Sequence, residues 1–210
     1  MIRRVESFLV RDGRAVRPDL HARRFGPGYP DVADIPAEGE WFPRVTAAGI
    51  ELRPAPPLRT ATRLWIPDTP DPRALPQVKG PDLPALGELR RQAQEQGADD
   101  AVLHRDSFVV EAANSAIVFF DDGMPVVAPD EWRLDSTTVR ATVEAGLILQ
   151  PRRAQITIEQ ALALPALCAS ALHGWTPVIC WGDVPAVTAS GVPDAAELNR
   201  ALWELAAPLH

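Results

Sequence analysis

The sequence predicts an α+β protein with two unequal lobes. A small, mostly β lobe spans residues 1–78, and a larger lobe of strands and packed helices spans 79–210. Three observations lead there. Fourteen of the twenty-two prolines fall between Pro18 and Pro84, where short extended runs alternate with turns. After Lys79, stretches of helical spacing alternate with β-rich runs. With 210 residues, 46% of them apolar, the chain is long enough to bury a real core.

In the first lobe, VESFLV (5–10) reads as a strand and RDGR as a tight turn on Gly13. EWFPRVTA (40–47), IELRPA (50–55) and ATRLWIP (61–67) read as further strands, rich in β-branched and aromatic residues. PDTPDPRALPQV (67–78) reads as a linker or an ordered crossing between the lobes. In the second lobe, LPALGELRRQAQEQG (83–97) puts Leu83, Leu86, Leu89 and Ala93 on one side, with Gly97 as the stop. Residues 100–127 read as successive strands with turns at 105–107 and 121–123. A helix over 136–148 starts with hydroxyl caps. Thr157 and Gln160 have capping-box spacing before another helix over 157–164. ALCASALHGWTPVICWGD is strand-rich, and Asp194 caps a final helix over 194–209.

Composition excludes several function classes. The net charge is -7, and the arginine pairs at 3–4, 23–24, 90–91 and 152–153 are scattered. No basic stripe is present to neutralise phosphates, so a nucleic-acid role is not expected. No apolar run reaches the length of a membrane span, and MIRRVESFLVRDGR lacks the apolar core of a secretory signal. A soluble, cytoplasmic protein is the expectation. Cys168 and Cys180 have neither metal nor redox spacing and are expected as buried free thiols. No clustered His, Cys or carboxylate spacing suggests a metal site.

Lys79 is the only lysine, against twenty arginines, and it lies between Pro76 and Pro81. An arginine stays protonated, whereas a lysine can lose its proton and form a Schiff base. Such a role requires a neutral amine near pH 7, so burial or nearby positive charge must lower its pKa. The alternative is an exposed lysine of no special role.

From Lys79 onward the order of short segments resembles the class IV aminotransferases, the fold-type-IV pyridoxal-phosphate (PLP) enzymes. These include branched-chain and D-amino-acid aminotransferases and 4-amino-4-deoxychorismate lyase. The segments are Lys79 and its following helix, GADDAVL (97–103), DSFVVEAANSAIVFF (106–120), GMPVVAP (123–129), LDSTTVR (134–140) and CASALHGWTPV (168–178). VRDGRAVRPDLHARRF (10–25) is similar to the family segment ending in H-x-x-R. The family's preceding G-D-G-x-F-E/T stretch is expected to be missing, because the chain begins after it. The resemblance thus implies a two-lobed, D-amino-acid-aminotransferase-like PLP fold with a shortened N-terminal lobe.

It also implies roles. Lys79 would form the Schiff base with PLP and carry the substrate's α-proton. Glu111 would pair with the pyridine nitrogen; its alternative is a strand-end glutamate facing water. Ser136, Thr137 and Thr138 at a helix start would hold the phosphate, where Ser136 replaces a family glycine. Ser170 and Ala171 would add donors, Ala171 through its N–H alone. Arg24 would reach the phosphate, with the adjacent Arg23 as an alternative register. His21 and His173 fall near the matched segments, Trp175 and Trp181 read as core or pocket wall, and Asp99 and Asp100 as solvating a turn. The family implies a homodimer with the cofactor near the subunit interface and a small amino substrate. Transamination is the expected reaction, with pyruvate elimination from aminodeoxychorismate as the alternative. A relative that has lost catalysis and binds a partner protein is the reading from another class.

Overall fold

A computed structural model of the chain describes residues 3–209. Among the described residues five helices form, each where the sequence provides a start. α1 (Pro18–Phe25) opens on Pro18, whose fixed φ suits the first helical turn. α2 (Leu83–Glu95) buries Leu86, Leu89 and Ala93, and Gly97 follows with φ 74°. α3 (Thr137–Glu144) is capped by Ser136, whose Oγ accepts the Val139 N–H at 3.3 Å. α4 (Ile158–Ala163) carries the full capping box, with Thr157 N–H donating to Gln160 and Gln160 N–H to Thr157 Oγ1. α5 (Ala195–Glu204) is capped by Asp194, which accepts the Glu197 N–H.

A ten-stranded mixed sheet dominates. Its order is Arg152–Arg153, Met124–Val127, Ala116–Asp121, Ala166–Ser170, Gly174–Trp181, Thr62–Trp65, Asp100–Arg105, Phe108–Ala112 and Ile156–Thr157, with Val184–Pro185 pairing onto Gly174–Trp181. Strand period decides which core each residue enters. Ala116, Val118 and Phe120 face one cluster, completed by Val139 and Ala141 of α3 and Leu198 and Leu202 of α5. Ile117 and Phe119 face the opposite cluster. That second cluster holds Val126 from near one end of the strand order and Ile156 from the other, so the sheet curls around it. α2 packs Leu86, Leu89 and Ala93 on Ala101, Leu103 and Val110 to make a third core.

Two small sheets accompany it. One pairs Val5–Glu6, Arg44–Thr46 and Gly49–Glu51, and the other Ala206–Pro208, Arg14–Val16, Val10–Arg11 and Glu40–Trp41. The run 5–10 is therefore two short strands in different sheets. Ser7–Leu9 crosses between them, and Leu9 N–H donates to the Ala171 carbonyl at 2.9 Å. The last expected helix also differs. It ends at Glu204, and Ala206–Pro208 pairs antiparallel with Arg14–Val16 instead. Pro208 has no N–H to give a helix, and an edge strand tolerates it. Thr62–Trp65, from the proline-rich part of the chain, lies inside the large sheet between Gly174–Trp181 and Asp100–Arg105.

Candidate active site

A solvent-open cleft of about 710 Å³ lies where the small sheets meet the large one. Lys79, Arg24, Glu111, Ser136, Thr137, Ser170 and Ala171 all line it. Seven of the eight residues singled out from sequence thus converge from positions spread along the chain. Thr138 lines an adjoining cavity beside His21, and its carbonyl accepts the Thr142 hydroxyl at 2.8 Å.

Lys79 sits in the irregular segment before α2. The Val5 N–H donates to its carbonyl at 3.0 Å. Gly80 has φ 142°, and a Cβ there would stand 2.0 Å from the Arg3 carbonyl oxygen. Only glycine lets the Lys79 segment lie this close to the N-terminal strand. Burial, and then the positive charge of Arg24, bring the Lys79 pKa from its ordinary 10.5 to about 8, against the pull of Glu6 and Glu111. Neither carboxylate is free to pair with the amine. Glu6 is held by Arg24 and His21, and Glu111 by Arg73.

Glu111 stands on the strand Phe108–Ala112 and is 5% exposed, so it is not a strand-end glutamate facing water. Its Oε1 accepts from Arg73 and from the Leu134 N–H at 2.9 Å. Burial pushes the Glu111 carboxyl above its ordinary pKa, and Arg73 and the Leu134 N–H oppose that rise. Arg73 also reaches Asp71 at 2.9 Å and the Trp132 carbonyl at 3.0 Å. Asp71 in turn takes Arg105 at 2.9 Å. The sequence suggests only a crossing at 67–78; the crossing carries this ion network to the base of the cleft.

Arg24 projects from α1 and grips Glu6 with two bonds of 2.7 and 2.6 Å, and it donates to the Asp135 carbonyl at 2.8 Å. Burial raises the Glu6 pKa, but the Arg24 and His21 hydrogen bonds win and bring it to about 2. His21 Nδ1 lies 2.9 Å from Glu6 Oε2, and its ring packs on Phe8 at 4.7 Å between centroids. Arg23 turns the other way, 58% exposed, towards Asp19 and Glu144. Geometry therefore selects Arg24 of the pair. Beside it, α3 points its N-terminus at the cleft. The N–H groups of Thr137 and Thr138 belong to the first turn, where no intrahelical carbonyl reaches them. A guanidinium and a helix N-terminus together suit an anion.

Two secondary expectations change. Asp100 is fully buried rather than solvating a turn: it accepts from the Ala101 and Asn114 N–H groups at 3.0 and 3.2 Å and from Ser115 Oγ at 3.2 Å. Cys180 is only half-buried, whereas Cys168 is buried, and both are free. Trp175 and Trp181 are core residues, at 1% and 2% exposure. Among the described residues, no group of His, Cys, Asp and Glu could hold a metal ion, and no helix is long and apolar enough to cross a membrane.

One curled mixed sheet thus brings an amine, a buried carboxylate and a helix N-terminus beside a guanidinium to a single cleft. The family model of "Amino-transferase class IV" matches residues 38–181, and the chain belongs to that family. Solved structures agree in fold. A hypothetical aminotransferase from Mycobacterium tuberculosis, in its alpha-ketoglutarate and PMP bound form, superposes with a TM-score of 0.79 at 19% identity, covering 96% of this chain and 88% of its own. The branched-chain amino acid aminotransferase from Escherichia coli gives 0.76 at 14% identity over 97% and 84% of the two chains. A putative 4-amino-4-deoxychorismate lyase from Legionella pneumophila gives 0.76 at 14% identity over 96% and 90%. No curated protein sequence matches the chain.

Proposed function

We propose that the chain is a PLP-dependent enzyme acting at the amine-bearing carbon of a small amino substrate, with transamination as its reaction. One observation carries this reading: an amine with a pKa near 8, a buried carboxylate and a helix N-terminus with an arginine share one cleft. The donor set fits the cofactor. Arg24, Ser136, Thr137 and the N-terminal N–H groups of α3 would hold its phosphate, and Ser170 and Ala171 line the same space. Glu111 would accept the N–H of a protonated pyridine nitrogen, and Lys79 would tether the aldehyde. When bound, PLP supplies an electron sink for the pair left when the substrate carbon loses its proton. Lys79 takes that proton at Nζ and returns it, which its lowered pKa permits near neutral pH. Arg73 and the Leu134 N–H keep Glu111 oriented, and Glu6 does the same for Arg24.

Pyruvate elimination from 4-amino-4-deoxychorismate, leaving p-aminobenzoate, is the second reading. It begins with proton removal at the same carbon, and the likeness to the Legionella pneumophila protein supports it. Retention of Lys79 and Glu111 in one cleft counts against a non-catalytic partner protein. We place the enzyme in the cytoplasm as a homodimer: two free cysteines suit a reducing compartment, and the family resemblance implies the dimer.

The test is an absorbance spectrum with added PLP, before and after borohydride, beside Lys79→Ala. A cofactor fixed by reduction only when Lys79 is present is expected. Oxo-acid formation then identifies the transaminase and p-aminobenzoate the lyase. A folded protein that takes up no cofactor would overturn the enzyme reading.

A further inference from the structure

Lys79 lines two adjoining spaces, the cleft and a second solvent-open recess of about 860 Å³. Arg44, Arg53, Arg59, Arg90 and His173 also line the recess, and no carboxylate does. The chain as a whole has the opposite sign, with a net charge of -7. The two acids that act on Lys79 are occupied, Glu6 with Arg24 and His21 and Glu111 with Arg73. Protonating this amine therefore adds a further cation to a group of cations. At its pKa of about 8, about one Lys79 amine in ten is uncharged at pH 7. At the ordinary 10.5 the share would be about one in three thousand.

The groups around the amine have donors to spare. Arg53 donates to Ser7 Oγ at 3.2 Å, but its buried Nε has no partner among the described residues. Arg59 donates from Nη1 to the Asp99 carbonyl at 3.1 Å, and its buried Nε is likewise unpartnered. His173 Nδ1 accepts the Arg59 backbone N–H at 3.2 Å, which places a single ring proton on Nε2. Guanidinium N–H groups buried without acceptors are costly, and the fork is matched best by a carboxylate. A dissolved anion must shed its water to reach them. A group that enters uncharged and becomes anionic only once attached avoids that cost. Carbon dioxide is such a group, and an uncharged amine is what it reacts with.

We propose that Lys79, in the cofactor-free chain, is a modification site for dissolved carbon dioxide: it forms a carbamate whose carboxylate is received in the recess by Arg53 and Arg59. The Nζ lone pair attacks the carbon, an N–C bond forms, and one C=O π pair moves onto oxygen. Nζ then gives a proton to water. The product is an anionic carbamate, with no leaving group and no change of oxidation state. Asn114 and His173 line the same recess and offer further N–H donors. The step uses only the amine and the recess, so it stands apart from the cofactor reading. Its consequence does rest on that reading: carbon dioxide and an aldehyde compete for one nitrogen, so dissolved carbon dioxide slows cofactor loading.

The chain suits a direct test, because Lys79 is its only lysine. The full chain, before PLP is supplied, is incubated with isotope-labelled bicarbonate. The carbamate is then fixed by O-alkylation with a trialkyloxonium salt, and a digest is mapped by mass. Label on the peptide that holds Lys79 is expected, with a carbamate resonance in the carbon NMR spectrum of the untrapped protein. Lys79→Met should lose both. Arg53→Gln and Arg59→Gln should each weaken carbamate formation about tenfold, read as labelled fraction against bicarbonate concentration. Thermal melts run beside these variants show whether they are folded. No label in the parent protein, or label confined to the N-terminal amine, would overturn the proposal. So would labelling that both arginine variants leave unchanged.

Preloading with PLP separates this inference from the cofactor reading. Cofactor that is taken up and blocks the label supports both. Label that forms on Lys79 in protein that takes up no PLP keeps the carbamate and overturns the cofactor assignment. Borohydride-fixed PLP on Lys79 in a protein that never takes label does the reverse.

Discussion

Replacing Lys79 with methionine should make the protein more stable near neutral pH. The side chain keeps similar length and apolar character, while the amine is removed. The folded protein lowers the Lys79 pKa from 10.5 to about 8, through burial first and Arg24 second. Below about pH 8 the amine is charged in both folded and unfolded states, and the folded state bears the whole penalty. Between about 8 and 10.5 only the unfolded state binds the proton, so parent stability rises with pH. Above 10.5 both states are neutral and the penalty is gone. At about 1.4 kcal/mol per pH unit the gap corresponds to about 3 kcal/mol. Because Lys79 is only half-buried and the cleft is open to water, about 2 kcal/mol is the expected gain. That is roughly 4–8 °C in Tm for a chain of this size. Thermal and urea melts of parent and Lys79→Met, without cofactor, should differ by this amount at about pH 7 and converge by pH 10.5. A variant less stable at neutral pH, or a difference that ignores pH, would refute the assigned environment of the amine.

Glu6→Gln should destabilise by about 3 kcal/mol at neutral pH, because it leaves Arg24 without its buried counter-charge. The Glu6 contribution is present above pH 4.5 and is lost as pH falls through about 2, so the gap in urea melts should narrow on acidification. Gly80→Ala should lose at least about 2 kcal/mol by the same assay, since its Cβ meets the Arg3 carbonyl at a positive φ; PLP uptake should fall with it. Thr142→Val should cost about 1–3 kcal/mol in a thermal melt, because it strands the buried Trp175 Nε1–H, which donates to Thr142 Oγ1 at 2.9 Å.

What the sequence shows about the site depends on how local each signal is. Lys79 stands out by rarity, and Glu111 and the start of α3 by the company they keep in order along the chain. Caps at Ser136, Thr157 and Asp194 are local chemistry and are readable at sight. Glu6 and Arg73 escape that reading. Glu6 interrupts the apolar run VESFLV, a signal that a buried charge must have a partner, but the partner is on α1. Arg73 lies in a proline-rich crossing where local rules expect only solvent, and its meaning comes from Asp71 and Glu111 across the fold. The same is true of the final strand: Ala206–Pro208 continues a helical pattern until Arg14–Val16 offers it an edge.

The position of Thr62–Trp65 governs how this molecule can be made. That short strand needs Gly174–Trp181 on one side and Asp100–Arg105 on the other, and Arg14–Val16 waits for Ala206–Pro208. On a ribosome, most of the chain emerges before its early strands meet their partners. Such non-local closure is slow and leaves unpaired edges exposed meanwhile. The cleft itself draws on residues from Arg24 to Ala171, so Lys79 and its neighbours come together only after most of the chain is made. Cofactor uptake would then report completed folding more faithfully than helix content does.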